Sequence, residues 1–379
     1  MKVIELGANW FPEVAGGGLD RFYWELLSHL PDVGIDARGL VAGSAEVEGV
    51  TGGLVRGFAP WASPLPHRLW AARGAVAQMI AGFRPDLVAS HFALYTLPAL
   101  DRLVGCPLVV HFHGPWAGES GAEGQGGLAQ WGKALIERAV YRRGHGVIVL
   151  SRAFGRLLRD RYGVAEERIR VVPGGVEAAR FEVGCSRAEA RRRLDWPRDR
   201  PIVLSVRRLV RRMGLEDLIE AAVDLRRRVP DALLVIAGRG PLEPELRRRA
   251  AERDLDGHVR FVGFVAEEDL PLAYRAADVS VVPTVALEGF GLITIESLAA
   301  GTPVLVTPVG GLPEAVRGLS PELVLPEVGP QALADGVANA LTGALALPGE
   351  GACRKYVREH FDWPVIARRT RAVYDEALT

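Results

Sequence analysis

The sequence predicts an α/β protein made of two doubly wound domains, and three observations carry that prediction. Short, almost wholly apolar runs alternate with longer segments of three- to four-residue apolar spacing across the 379 residues. Strands buried on both faces and separated by helices build parallel sheets between helical layers. The runs are too many for one sheet, and midway the chain turns polar and arginine-rich before a fresh apolar run begins.

The elements follow in order. Lys2–Leu6, Leu87–Ser90, Leu108–His111, Gly146–Leu150 and Ile169–Val172 read as strands of the first domain. Ile202–Val206, Leu233–Ala237, Val259–Val262, Val279–Pro283 and Val304–Val306 read as strands of the second. Leu19–Leu30, Leu128–Arg143, Leu215–Val229 and Leu242–Arg253 carry helical spacing. The break is VGCSRAEARRRLDWPRDR, which contains Pro197 and precedes the run PIVLSV. It places the boundary near 183 to 199, with a first domain of 1–185 and a second of 198–360. The last segment, Trp363–Leu378, is an amphipathic helix with no strand after it, able to pack on either domain.

Composition narrows the function classes. Hydrophobic residues make up 49% and charged residues 24%, which is globular and not disordered. Lys+Arg and Asp+Glu balance at 46 each, so no general charge draws the chain to nucleic acid or an anionic membrane. Three scattered cysteines, Cys106, Cys185 and Cys353, give no disulfide framework and no metal spacing, and fit a reducing cytoplasm. The start, MKVIELGANW, is a strand pattern with Glu5 inside it and does not read as a signal peptide. Glu288, Glu296 and Asp335 interrupt the most apolar stretches, so no transmembrane helix is expected.

In doubly wound sheets ligands sit beyond the C-terminal strand ends, so residues just after strands are the informative ones. Gly16-Gly17-Gly18 opens a helix after the first strand, either an anion cradle or a plain flexible turn. His113 follows the third run beside the glycine-rich stretch AGESGAEGQGG, as a substrate contact under a lid or as a structural histidine; His111 reads as a buried strand residue. Arg207, Arg208, Arg211 and Arg212 cluster between a strand and the helix after Gly214, where guanidinium groups suit a diphosphate. Gly238-Arg239-Gly240 lacks the third glycine of a dinucleotide fingerprint and reads as a tight turn open to a ligand. Phe264 and Val265 form an apolar rim fit for a flat base. Then comes ALEGFGLITIES, with Glu288 at a strand end, glycines exposing N–H groups at a helix start, and Glu296 one to two turns into that helix. Either acid alone could be a helix-dipole or surface residue. The one D-x-D, Asp254-Leu255-Asp256, sits in a helix-to-strand connection and reads as a solvated turn.

Together these stretches resemble the retaining glycosyltransferases of family 4 in the GT-B superfamily, over essentially the whole chain. Glu288-Gly289-Phe290-Gly291-Leu292 with Glu296 is similar to that family's E-x7-E signature, and Ala299–Val304, Gly310–Glu314, Val172–Val176 and Arg208-Leu209…Gly214 are also similar. The resemblance implies two Rossmann-like domains facing across a cleft, the nucleotide sugar held mainly by the second, and the final helix crossing back to the first. It implies that Glu296 binds the ribose and that Glu288 contacts the donor sugar beside the Phe290, Gly291 and Leu292 backbone. It implies as well that Arg208 neutralises the diphosphate and Gly17, with Gly18, caps it, that His113 lies near sugar and acceptor, and that Val265 lies at the base. The family's usual Lys before Gly214 is Met213 here, and Arg212 or Arg211 is expected to supply that cation. No metal or cofactor is expected, since oriented N–H groups and cations suffice for a departing diphosphate.

Two rivals remain. A sugar-nucleotide epimerase shares the two-domain shape, but the E-x7-E pattern speaks against it. A non-catalytic sugar-nucleotide-binding protein is opposed by His113, Glu288 and Arg208 and left open by Met213. A phosphorylase-like enzyme would need a cofactor lysine, and lysines occur only at 2, 133 and 355, in an N-terminal strand, a helix of the first domain and a C-terminal helix. For the acceptor, the segment Phe58–Phe83 combines Trp61, Leu65, Leu69, Trp70, Met79 and Ile80 with Arg68, Arg73 and Arg84. It reads as an ordinary core-facing helix, the commoner case, or as one fit for a lipid surface. The partners expected are a UDP- or GDP-linked sugar and a glycan, lipid or small-molecule hydroxyl, at the inner face of the membrane in the lipid case.

Overall fold

The computed structural model describes residues 1–11, 13, 18–118 and 127–379. The chain divides into two compact units, Met1–Gly175 with Trp363–Thr379, and Val176–Asp362.

The first unit holds a seven-stranded parallel sheet in the order β3-β2-β1-β4-β5-β6-β7. Its strands are β1 Lys2–Asn9, β2 Asp36–Ala42, β3 Val55–Ala59, β4 Leu87–Ser90, β5 Leu108–Phe112, β6 Gly146–Val149 and β7 Ile169–Val171. Side chains alternate across a strand, and β1 shows the result. Val3 joins a core layer with Phe22, Tyr23, Leu26, Trp363 and Tyr374. Ile4 and Leu6 join the opposite layer with Val76, Val88, Leu108 and Phe154. The helices Gly18–His29 and Trp363–Ala377 thus cover one face, and Leu65–Phe83, Leu128–Tyr141 and Arg152–Tyr162 cover the other.

The second unit holds a five-stranded parallel sheet in the order β10-β9-β8-β11-β12. Here β8 is Ile202–Val206, β9 Leu233–Ala237, β10 Val259–Gly263, β11 Val279–Val282 and β12 Val304–Val306. Except in β10, these strands are almost entirely buried, as expected between two helical layers.

Two differences from the sequence reading have clear causes. The strands β2 and β3 were not anticipated, because Arg38-Gly39 and Arg56-Gly57 interrupt their apolar runs. Gly57 is required there: a Cβ would lie 2.2 Å from the Ser44 carbonyl oxygen. The passage between units falls at 175/176 and not within 183 to 199. The arginine-rich stretch belongs to the second unit because Arg191 is buried in it, donating to the carbonyls of Ala276, Arg198 and Arg200 and to Asp278.

Candidate functional site

In each sheet the strand order reverses once, between β1 and β4 and between β8 and β11. Loops leaving the C-terminal ends of such neighbours diverge and open a crevice. The chemistry-bearing residues gather at these two places.

In the second unit, the loop after β8 carries Arg207 to Met213 and the loop after β11 carries Thr284 to Gly291. Arg207 reaches across: its Nη2 donates to a Glu288 carboxylate oxygen at 2.5 Å and to Thr284 Oγ1. The two side chains are 6% and 14% exposed, a largely buried ion pair at the strand reversal. Arg207 Nε is also buried and meets no hydrogen-bond acceptor among the described residues. Arg208 is exposed. Arg211 is exposed and pairs with Glu216 at 3.1 Å. Arg212, expected as a cation toward a diphosphate, is buried and its Nη1 donates to the Leu287 carbonyl at 3.0 Å. That hydrogen bond ties Arg212 to the loop that carries Glu288. Met213 is a buried core side chain.

Backbone fit explains the glycines. Leu287 has φ +53°, a left-handed conformation that costs a non-glycine residue on the order of 1 kcal/mol. The loop is pinned there by Arg212, and by Val285 N–H donating to the Arg212 carbonyl at 3.0 Å. Gly311 N–H donates to the Glu288 carbonyl, and a Cβ on Gly310 would lie 1.9 Å from that same oxygen. A Cβ on Gly214 would lie 1.9 Å from the Pro283 carbonyl oxygen. A Cβ on Gly240 would lie 2.4 Å from the Leu209 carbonyl oxygen, so the chain's own backbone packs closely against it.

Gly291, at φ +76°, starts the helix Leu292–Ala299. Glu296 lies on that helix and is buried, accepting from the Tyr274 hydroxyl at 3.1 Å. Phe290 is buried against Phe361, and Leu292 and Val265 are half-buried. Phe264 is exposed, with Arg239 5.7 Å from its ring centre. Glu288, Phe290, Gly291, Leu292 and Glu296 thus share one strand-end loop and helix start.

In the first unit, Gly17 lies outside the described residues, and Gly18 opens the helix Gly18–His29 in an exposed position. His113, just past β5, is half-buried. Its Nε2 lies 3.0 Å from Nδ1 of His91, just past β4, and His91 Nε2 lies 2.8 Å from Glu5 Oε2 in β1. Tyr374, from the terminal helix, donates to Glu5 Oε1 at 2.8 Å and sits 2.7 Å from His111 Nε2. Burial first, and then a neighbouring His91 charge, hold His113 and His111 well below the usual imidazole range. Ring nitrogens of His91, His111 and His113 lie within 4.8 Å of one another. Their rings, however, are within 22° of parallel. Of these nitrogens, His91 Nδ1 and His113 Nε2 face one another at 3.0 Å as a hydrogen-bonded pair.

The sequence reading missed Arg207's pairing, Thr284, His91, Glu5 and Tyr374. Two signals were present: His91 directly follows an apolar run, as His113 does, and Glu5 is a charge inside a buried strand.

Residues 186–359 match the family model for glycosyl transferases group 1, and residues 16–180 match that for glycosyltransferase family 4. D-inositol 3-phosphate glycosyltransferase of Acidothermus cellulolyticus is 35% identical over 331 residues, 83% of this chain and 73% of its own length. Glycogen synthase of Mycobacterium tuberculosis is 31% identical over 304 residues, 77% of this chain and 69% of its own. The GDP-mannose-dependent alpha-(1-6)-phosphatidylinositol monomannoside mannosyltransferase of the same organism is 34% identical over 253 residues, 63% of this chain, and the chain spans 65% of its length. Among solved structures, sucrose-phosphate synthase from Thermosynechococcus elongatus superposes with TM-score 0.80 at 24% identity, covering 99% of this chain and 98% of that one. Anabaena HepE in complex with UDP-glucose gives TM-score 0.80 at 18% identity, covering 99% and 100%. At these identities the structures speak to the fold, two Rossmann-like parallel sheets of the GT-B type.

Proposed function

The chain belongs to the family 4-like glycosyltransferases of GT-B fold, and from that premise we propose that it is a retaining, metal-independent hexosyltransferase. It moves a sugar from a UDP- or GDP-linked donor to a hydroxyl of a glycan, lipid or small-molecule acceptor. The Arg207–Glu288 pair at the reversal of the second sheet carries this reading. Glu288 is the acid nearest the expected sugar position, and an unpaired carboxylate there would repel a diphosphate. Arg207 cancels that charge and still leaves carboxylate lone pairs to accept from sugar hydroxyls. Arg208 and the N–H groups at the start of Leu292–Ala299 then meet the negative charge that grows as the nucleotide diphosphate departs. Arg212 acts by fixing the loop, and Glu296, deeper on the helix, takes the ribose hydroxyls. His113 is the sugar- and acceptor-facing residue of the first unit, and Gly18 is its diphosphate contact. Relatives named for GDP-mannose and a neighbour solved with UDP-glucose support both nucleotides as candidates.

The acceptor is proposed to be lipid-linked, because the first unit exposes Trp61 and Trp70 at 49% and 75% on and beside the helix Leu65–Phe83. Arg68 stacks 4.4 Å from the Trp61 ring centre. Aromatic residues with adjacent cations suit a membrane interface. The test is to incubate purified protein with labelled UDP- and GDP-sugars, follow slow donor hydrolysis, and analyse products formed with membrane extracts by mass spectrometry. Turnover that disappears in Glu288→Gln is expected. Nucleotide binding without turnover of any donor would overturn the catalytic reading in favour of a non-catalytic sugar-nucleotide-binding protein.

A further inference from the structure

We propose that Glu5 and His91 are positioning residues that fix the tautomer of His113, so that its outward ring nitrogen, Nδ1, is a permanent hydrogen-bond donor. The inference deepens the reading of His113 as a substrate-facing residue. It rests on a continuous chain of contacts inside the first unit: Glu5 Oε2 to His91 Nε2 at 2.8 Å, and His91 Nδ1 to His113 Nε2 at 3.0 Å.

The proton positions follow from the donor inventory. Glu5 is 1% exposed. Its Oε1 accepts from Tyr374, whose single proton is thereby used, so Tyr374 in turn accepts from His111 Nε2–H. His111 Nδ1 is buried and meets no partner among the described residues, so a proton there would be unsatisfied and the ring is neutral. A carboxylate so deeply buried needs a cation, and His91 is the basic group bonded to it. As an imidazolium, His91 donates through both nitrogens: Nε2–H to Glu5 and Nδ1–H to His113 Nε2. His113 Nε2 must then be the acceptor, and the proton of the neutral ring sits on Nδ1. His113 is thus a fixed donor toward sugar or acceptor oxygens and not a proton-transfer base.

Long-range proton–nitrogen NMR on protein labelled with 15N-histidine tests this directly, with His113 assigned by the signal lost in His113→Gln. Wild type should show His113 neutral and protonated at Nδ1. In Glu5→Gln the amide oxygen keeps the Tyr374 proton and the NH2 group faces His91 Nε2, so His91 should lose its Nε2 proton and keep Nδ1–H toward His113. An Nε2-protonated His113 in wild type, or a His91 that keeps both ring protons in a folded Glu5→Gln, would overturn the proposal. This readout needs no turnover, so it stands apart from the proposed activity. If the activity holds, His91→Gln, which moves the His113 proton, should lower turnover on the order of a hundredfold, as a misplaced group does, with nucleotide affinity unchanged. Should Glu5→Gln fail to fold, His91→Gln with the same spectra serves instead: its NH2 turns to the Glu5 carboxylate and its oxygen to His113, whose proton should move to Nε2, and an unmoved Nδ1–H there would count against the proposal.

Discussion

Gly310 has no room for a methyl group, because the Glu288 carbonyl oxygen occupies the place where a Cβ would go. Its φ of +56° is also one that side chains rarely adopt. Gly310→Ala should therefore push the Glu288 loop off its seat, costing about 1–3 kcal/mol and weakening nucleotide-sugar affinity, as calorimetry with UDP and GDP would show. The Arg207–Glu288 pair makes a second prediction. Arg207→Ala strands a mostly buried carboxylate and should cost about 2–4 kcal/mol, whereas Arg207→Met with Glu288→Gln should cost much less. Urea denaturation of the three proteins measures the difference. This pair marks a limit of the sequence reading. Glu288 was legible from its glycine-flanked motif, but its partner was one of four arginines, and nothing local distinguishes Arg207, buried with Glu288, from Arg208, exposed beside it.

The element most open to test is the helix Leu65–Phe83. It buries a thin stripe of Ala72, Ala75 and Val76 and leaves Trp70 exposed. That division was not legible, because a tryptophan reads as core in any apolar pattern until the small residues beside it are seen to take the core. If the face meets lipid, vesicles rich in anionic phospholipid should blue-shift tryptophan fluorescence and co-sediment the protein. Trp61→Ser with Trp70→Ser should abolish both while leaving hydrolysis of soluble donor intact, and vesicle binding that survives would sink the idea. The helix Leu128–Tyr141 shows the opposite economy. Its Glu137 is wholly buried, accepting from the Trp116 and Ala117 N–H groups and from the Tyr141 and Tyr162 hydroxyls. Desolvation raises its carboxyl even so. Glu137→Leu should orphan four donors and cost about 3 kcal/mol or more, measured by thermal denaturation.

Across the whole molecule, the two parallel sheets were legible because doubly buried strands are nearly continuous apolar runs, while β2 and β3 were hidden by arginine and glycine inside them. The pH response also belongs to this scale. Burial holds His111 and His113 well below their ordinary 6.5. Below that pH the unfolded chain takes up protons that the folded first unit refuses, so the first unit loses stability as pH falls from there toward the folded values. Its melting transition should drop between about pH 7.5 and about pH 5, and His111→Gln should flatten that slope. The return of Trp363–Ala377 to the first unit has a consequence for how the protein is made. Val176 N–H donates to the Phe361 carbonyl at 2.9 Å, and Ala178 N–H to Asp362, so the second unit is a continuous stretch whose two ends are fastened to each other. It can close as soon as Asp362 leaves the ribosome. The first unit, begun earlier, still lacks Trp363, Ile366 and Tyr374 from its core at that moment. Domains usually complete in the order of synthesis; here the half started first is finished last, and until then its unfilled core is the surface a chaperone would find.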